Sequence, residues 1–217
     1  MTTPRDYLQI LKVGGLRRLK DEIVENLFFD LTYGTDTQTW LPLDRYAQQP
    51  ENFHNAVQYQ PTYTSQIRRS LEALKSVVND IGEYDFFDLG CGKGKVVILA
   101  AQEKFNRIVG VEFFSELLER AEENLKKLHG HSARCQLILE DAARFDDFSL
   151  RSVVFMYNPF NDHIVGKIRR ALERKAHHAI VIYARPVHMN EFSGWKELKH
   201  IRKHKMDVVI LEHKKPV

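Results

Sequence analysis

Cysteine is scarce in this chain of 217 residues: there are two, Cys91 and Cys135, far apart and without any paired Cys or His spacing. Neither a disulfide framework nor a zinc site is indicated, and both read as free thiols of a reducing compartment. Long apolar runs are missing too. None approaches the roughly 20 residues that span a bilayer, so no membrane partner is expected. The opening residues Met1 to Asp6 are polar and lack the basic-then-apolar order of a secretory signal, which implies a cytoplasmic location. Nor does one sign of charge prevail. The 32 Lys and Arg residues face 29 Asp and Glu, a net charge of +3, which makes a nucleic-acid partner less expected than a protein or a small molecule. One basic stretch, Lys196 to Lys205, is either a solvated face or a surface for an anionic partner. No internal repeat and no metal-ligand set is present, and no metal is expected.

What is there is enough for one buried α/β core. Apolar residues recur at helical spacing from Tyr7 to Phe29, broken at Gly14 and Gly15, and Tyr33 to Pro61 mixes proline, polar and aromatic residues in a long irregular segment. Residues 1–63 therefore read as a helical cap or lid that is not an independent domain, and residues 64–217 as the core. In the core a helix is predicted from Thr64 to Val78, with Ile67, Leu71, Leu74 and Val78 on one face. Short apolar runs then alternate with helical patterns: Asp85 to Leu89, Lys95 to Glu103, Arg107 to Glu112, Ser115 to Leu128, Cys135 to Leu139, Val153 to Tyr157, Asp162 to Arg174 and Ala179 to Tyr183. Such alternation predicts a three-layer sandwich with a mostly parallel, seven-stranded sheet. Trp195 to Lys203 and Asp207 to His213 read as a closing hairpin, its last strand antiparallel to the sheet.

The chemistry gathers at Phe86-Phe87-Asp88-Leu89-Gly90-Cys91-Gly92-Lys93-Gly94-Lys95, a strand that enters a glycine turn and leaves as a helix. Glycines let the backbone bend sharply and pass close to a ligand. The dinucleotide fingerprint would need glycine where Lys95 stands, and the phosphate loop would need Ser or Thr where Val96 stands. What remains, Asp88-x-Gly90-x-Gly92-x-Gly94, resembles the first motif of class I, Rossmann-like S-adenosylmethionine-dependent methyltransferases. The resemblance implies S-adenosylmethionine as cofactor, S-adenosylhomocysteine as product, and a donor site built from Asp88, Leu89, Gly90, Cys91, Gly92 and Gly94. A carboxylate at position 88 suits a cationic ligand with a free amino group and would repel a pyrophosphate. The resemblance further implies that Glu112, at the end of the second strand, accepts the ribose hydroxyls with Phe113 near the adenine, and that Asp141 and the Ala142 amide read the base. A turn residue at Asp88, a helix start at Glu112 and ordinary capping by Asp141 are the plainer readings of the same positions.

The fourth strand ends in Tyr157-Asn158-Pro159-Phe160, on the carboxyl edge where parallel sheets bind ligands. It resembles the Asn-Pro-Pro-aromatic motif of amino-directed methyltransferases without the second proline. That implies Asn158 and the Pro159 carbonyl as acceptors of hydrogen bonds from a substrate amine beside Phe160, with Asn158 also touching the donor; a simple turn at a strand end is the alternative. If an amine is the acceptor it must lose a proton, and Asp162, His163 or an acid of the N-terminal segment is the candidate base. Upstream, Tyr33, Thr35, Asp36, Thr37, Tyr59, Thr62 and Tyr63 form a lid or acceptor surface, or a cap without ligand contact. These pieces resemble a group of uncharacterised bacterial methyltransferases, and Tyr59-Gln60-Pro61-Thr62 resembles a protein-lysine methyltransferase group. The expected activity is methyl transfer to an acceptor that the sequence does not name, an amine of a protein side chain or of a small metabolite. An aminopropyltransferase-like enzyme, a donor-binding protein without turnover and a nicotinamide-dependent oxidoreductase, the last opposed by Lys95, are the rivals.

Overall fold

The computed structural model describes residues 8, 11–12, 15–16, 19–20, 23–37, 62–128, 130, 132–157, 160–203 and 206–216. β1 (Asp85–Leu89) and β2 (Ile108–Glu112) are buried at every position, as central parallel strands covered on both faces must be. β3 (Cys135–Leu139) is only partly buried and lies at one edge. β4 (Arg151–Tyr157) and β5 (His178–Ala184) continue on the other side of β1, followed by β7 (Met206–Lys214) and then β6 (Lys196–Lys203). The sheet order is β3-β2-β1-β4-β5-β7-β6. β1 to β5 pair in parallel, whereas β7 is antiparallel to both β5 and β6. The predicted seven-stranded sheet with a reversed final strand is thus the observed one, its closing hairpin turned so that the last strand lies inside and β6 forms the edge.

Alternation along the strands divides the core into two layers. Phe86, Ile108, Phe155, Ile180, Ile182 and Val208 pack on the side of α2 (Thr64–Lys75), α3 (Lys95–Ala100) and α4 (Ser115–Lys126). Phe87, Leu89, Val109, Val154, Val181 and Val209 pack on the side of α5 (Asp162–Lys175). At the amino edge, the Tyr84 hydroxyl meets His178 Nδ1 at 2.7 Å and His178 Nε2 meets Glu212 at 2.9 Å, which ties β1, β5 and β7 together. No helix among the described residues is long and apolar enough to cross a membrane.

The N-terminal segment enters as a π-helical turn, Ile23–Leu27, that runs into α1 (Phe28–Tyr33) and stops at Gly34, whose φ is +66°. Residues 7, 9–10, 13–14, 17–18 and 21–22 of the predicted Tyr7–Phe29 stretch, and 38–61 of the irregular segment, lie outside the described residues, and the π-helical turn departs from the predicted spacing by its extra residue. α3 is buried along its whole length, and it opens with a lysine. Lys95 is retained there because its ammonium donates to the Glu25 carbonyl at 3.1 Å and to Asn26 Oδ1 at 2.5 Å, and lies 4.9 Å from the Phe29 ring centroid. A buried cation stays charged only with such partners, so Lys95 anchors the N-terminal segment to the core. The start of α2 joins the same junction: Thr64 Oγ1 donates to the Glu25 carbonyl and the Ser65 amide to the Glu25 carboxylate. Its other end meets the far end of the α3 segment through Lys75 and Glu103, so α2 and α3 run side by side with their first turns at the carboxyl edge.

β2 has one glycine, and its reason is contact. A Cβ on Gly110 would lie 2.7 Å from Leu137 Cδ2 and 2.9 Å from both Cys91 Sγ and Val97 Cγ2. Gly110→Ala should therefore destabilise the fold by about 1–3 kcal/mol, the usual effect of overpacking a filled core, and a shifted urea midpoint with an unchanged slope checks it.

Candidate active site

The glycine turn lies on the carboxyl edge between β1 and α3. Gly90, Gly92 and Gly94 have φ values of +76°, +54° and +82°, so each of the three occupies a left-handed conformation that side-chain-bearing residues rarely adopt. The spacing Gly-x-Gly-x-Gly is a backbone requirement at every one of its glycines. The amides of Gly90 and Cys91 both donate to the Val111 carbonyl, which holds the turn against β2.

Glu112 completes that hold. Its Oε2 accepts the Gly92 amide at 2.8 Å, and its Oε1 accepts the amides of Phe113 and Phe114 at 2.8 and 2.9 Å. Burial raises its pKa, and those three amides pull it back. A carboxylate has about four lone-pair sites, and three are used, which leaves one on Oε2 for a ligand hydroxyl. Asp88 sits nearby without such support. It is 3% exposed, and its Oδ2 is buried with no hydrogen-bond partner among the described residues. Burial, and then the charge of Glu112, push its carboxyl well above the usual range. An unpaired buried carboxylate oxygen beside a second acid fits a cationic group of a ligand.

The other predicted positions divide into two groups. Leu89 is buried in the α5-side layer and Cys91 turns its thiol toward Gly110, so both offer the crevice backbone only; burial pushes the Cys91 thiol up, and it stays protonated. Phe113 is half-buried and packs edge-on against Phe114. Asp141 follows β3, and its Oδ1 accepts the Ala143 amide at 2.8 Å while Ala142 is buried. Phe160 is partly buried against the α5-side core, and Asp162 and His163 are exposed at the start of α5. Asn158, Pro159 and Tyr59 lie outside the described residues. Tyr33 packs on Phe29 and bonds Gln102 and Arg68, toward the far end of α3 from the glycine turn. Thr35 and Thr37 give their hydroxyls to the buried Asp30 carboxylate. Thr62 is buried and Tyr63 precedes α2.

Asp36 does reach the turn. Its carboxylate is 3.9 Å from Lys93 Nζ, a cation that burial weakens and Asp36 supports. Asn124 locks the same contact: its Oδ1 accepts the Asp36 amide at 2.8 Å, and its Nδ2 donates to the carbonyls of Lys93 and Asp36. The roles of Lys93, Lys95 and Asn124 escaped the sequence reading. Asn124 left a trace there, since helical spacing places it on the apolar stripe of Leu117, Ala121 and Leu128, where a polar residue is out of place.

A Rossmann-like sheet, a glycine turn at its carboxyl edge and two buried acids on the adjoining strand ends define a class I methyltransferase. Residues 82–213 match the methyltransferase domain model, and the chain belongs to that family, whose methyl donor is S-adenosylmethionine. A protein-lysine N-methyltransferase of Saccharolobus islandicus (strain REY15A) is 32% identical over 148 residues, which span 67% of this chain and 84% of that protein. The fold is similar to that of an RNA methyltransferase from Salinibacter ruber in complex with S-adenosyl-L-homocysteine, with a TM-score of 0.55 at 20% identity over 73% of this chain and 96% of that one. It is also similar to a ribosomal protein L11 methylase from Lactobacillus delbrueckii subsp. bulgaricus, with a TM-score of 0.53 at 15% identity over 73% and 91% of the two chains.

The two acids should respond oppositely to neutralisation. Asp88→Asn removes an unpaired buried carboxylate whose raised pKa makes the donor-free protein lose stability as pH rises through that value. The variant should melt higher than the parent at alkaline pH while donor affinity falls by about 1–3 kcal/mol. Glu112→Gln sets an amide donor against backbone amides and should lower stability by about 1–3 kcal/mol. Thermal melts from pH 6 to 9 with calorimetric titration of the donor check both, and a lower melting point for Asp88→Asn would contradict the assignment.

Proposed function

We propose that this methyltransferase modifies an amine nitrogen, specifically the side-chain amine of lysine in a protein. The unpartnered Oδ2 of Asp88 at the glycine turn is the observation that carries the donor half of this reading. Asp88 holds the donor's ammonium, the glycine turn passes beneath it, and Glu112 takes a ribose hydroxyl on its remaining lone pair. Phe113, Asp141 and the Ala142 amide border the base. Bound there, the donor supplies a methyl group activated on a cationic sulfur. Positioning in a water-poor crevice then carries most of the rate enhancement: the neutral amine displaces the thioether as the carbon–nitrogen bond forms and the carbon–sulfur bond breaks, and the amine's proton leaves to water or to Asp162 or His163 at the start of α5.

The acceptor half is supported by the protein-lysine N-methyltransferase relative, by Asn158-Pro159-Phe160 at the end of β4, and by the Tyr59 to Thr62 piece. In this reading Asn158 and the Pro159 carbonyl receive hydrogen bonds from the lysine amine beside Phe160. Residues 1–63 act as a cap joined to the core through Lys95 and Asn124, with Asp36 as the lid residue that meets the glycine turn. The enzyme acts in the cytoplasm, where Cys91 and Cys135 stay reduced.

Incubation with methyl-labelled S-adenosylmethionine and fractionated extract is the test. Label should enter protein and map to methyllysine. Label confined to RNA or to small molecules refutes the lysine assignment, and binding without transfer to any fraction refutes catalysis.

A further inference from the structure

Two buried polar atoms without partners share one edge and one face of the sheet. Asp88 alternates with Phe86 along β1, so its carboxylate emerges on the side covered by α2 and α3, near the end of the strand. Gln66 lies in the first turn of α2, at the carboxyl edge, where Thr64 and Lys95 meet on the Glu25 carbonyl. It is 4% exposed, and its Nε2 has no hydrogen-bond partner among the described residues. The third such atom, Arg169 Nε, belongs to α5 on the opposite face.

The two orphans are chemically complementary. An amide nitrogen only donates and an ionised carboxylate only accepts, so they call for an acceptor and a donor respectively. One ligand group offers both from a single carbon: an α-amino acid terminus, with a carboxylate and an ammonium. Buried polar atoms are nearly always satisfied, and a site that fills only on ligand binding accounts for both exceptions at once. We propose that Gln66 binds the carboxylate at the amino-acid end of the methyl donor while Asp88 binds its ammonium, so that the first turn of α2 recognises the donor's zwitterion. This rests on the donor-site reading above and adds a residue from outside the glycine turn.

The test compares S-adenosylhomocysteine with its decarboxylated counterpart, which keeps the ammonium and lacks the carboxylate, by calorimetric titration of the full chain. Gln66→Leu should bind S-adenosylhomocysteine about tenfold to a hundredfold more weakly than the parent, and the decarboxylated ligand equally well. Its melting point without ligand should be unchanged or higher, because an unpaired buried amide has been removed. Gln66→Glu, of nearly the same size, sets a like charge against the carboxylate and should show a larger loss on that ligand alone; it also serves if the leucine variant fails to fold. Equal affinity of parent and variants for S-adenosylhomocysteine, or equal losses on both ligands, overturns the assignment. No binding of S-adenosylhomocysteine by the parent overturns the donor-site reading itself, and this inference with it.

Discussion

The carboxylate of Glu112 fixes the shape on which the rest of the crevice depends. It stands at the tip of β2 and accepts amides from the glycine turn on one side and from the start of α4 on the other. A turn with three left-handed glycines has more conformational freedom than a stretch of side-chain-bearing residues, and Glu112 restrains it with a charge-assisted hydrogen bond from Gly92 beside the two bonds to the Val111 carbonyl. The acid is buried, and its three amides are what keep the ionised form tolerable. Oδ2 of Asp88, one strand over, has no partner among the described residues. The contrast separates an acid whose lone pairs hold the turn from an acid with a buried oxygen left unbonded among the described residues.

Buried polar groups bind the described part of the N-terminal segment to this frame, beside the buried ring of Phe29. Lys95 reaches back to Asn26, Asp30 gathers Thr35 and Thr37, and Asn124 clasps the backbone of Asp36 and Lys93. The Lys95 and Asn124 contacts join segments far apart in the chain while Asp30 closes a local loop, and each carries directional information that apolar packing lacks. The outward residues Val24, Phe28 and Leu31 are exposed, so the helical stripe that periodicity assigns to a core is only partly used.

Much of the sheet and of the glycine turn could be read from the residues, because both follow local rules. Buried parallel strands demand runs such as Val109-Gly110-Val111, and left-handed turns demand glycine at 90, 92 and 94. Acids at strand tips were equally visible, since each ends an apolar run. Long-range partnerships were not. Lys95 was legible only as the residue that breaks a dinucleotide fingerprint, and nothing local shows that its ammonium ends at Asn26. Cys91 sits inside the motif, yet its thiol is directed by Gly110, a vacancy on the neighbouring strand. Tyr33 suggests a lid by composition, but Phe29, Gln102 and Arg68 turn it into the helical layer. The position of β7 between β5 and β6 also escapes the sequence, because a hairpin pattern does not say which of its strands joins the sheet.

The pairing of Asp88 with Glu112 bears on turnover as well as on recognition. Both acids lie in a poorly solvated crevice, where a positive charge is attracted more strongly than in water. The sulfur is a cation before methyl transfer and neutral afterwards. In the donor placement proposed above, these acids would attract the sulfonium more than the thioether it becomes, so methyl transfer would remove one attraction that seats the nucleotide.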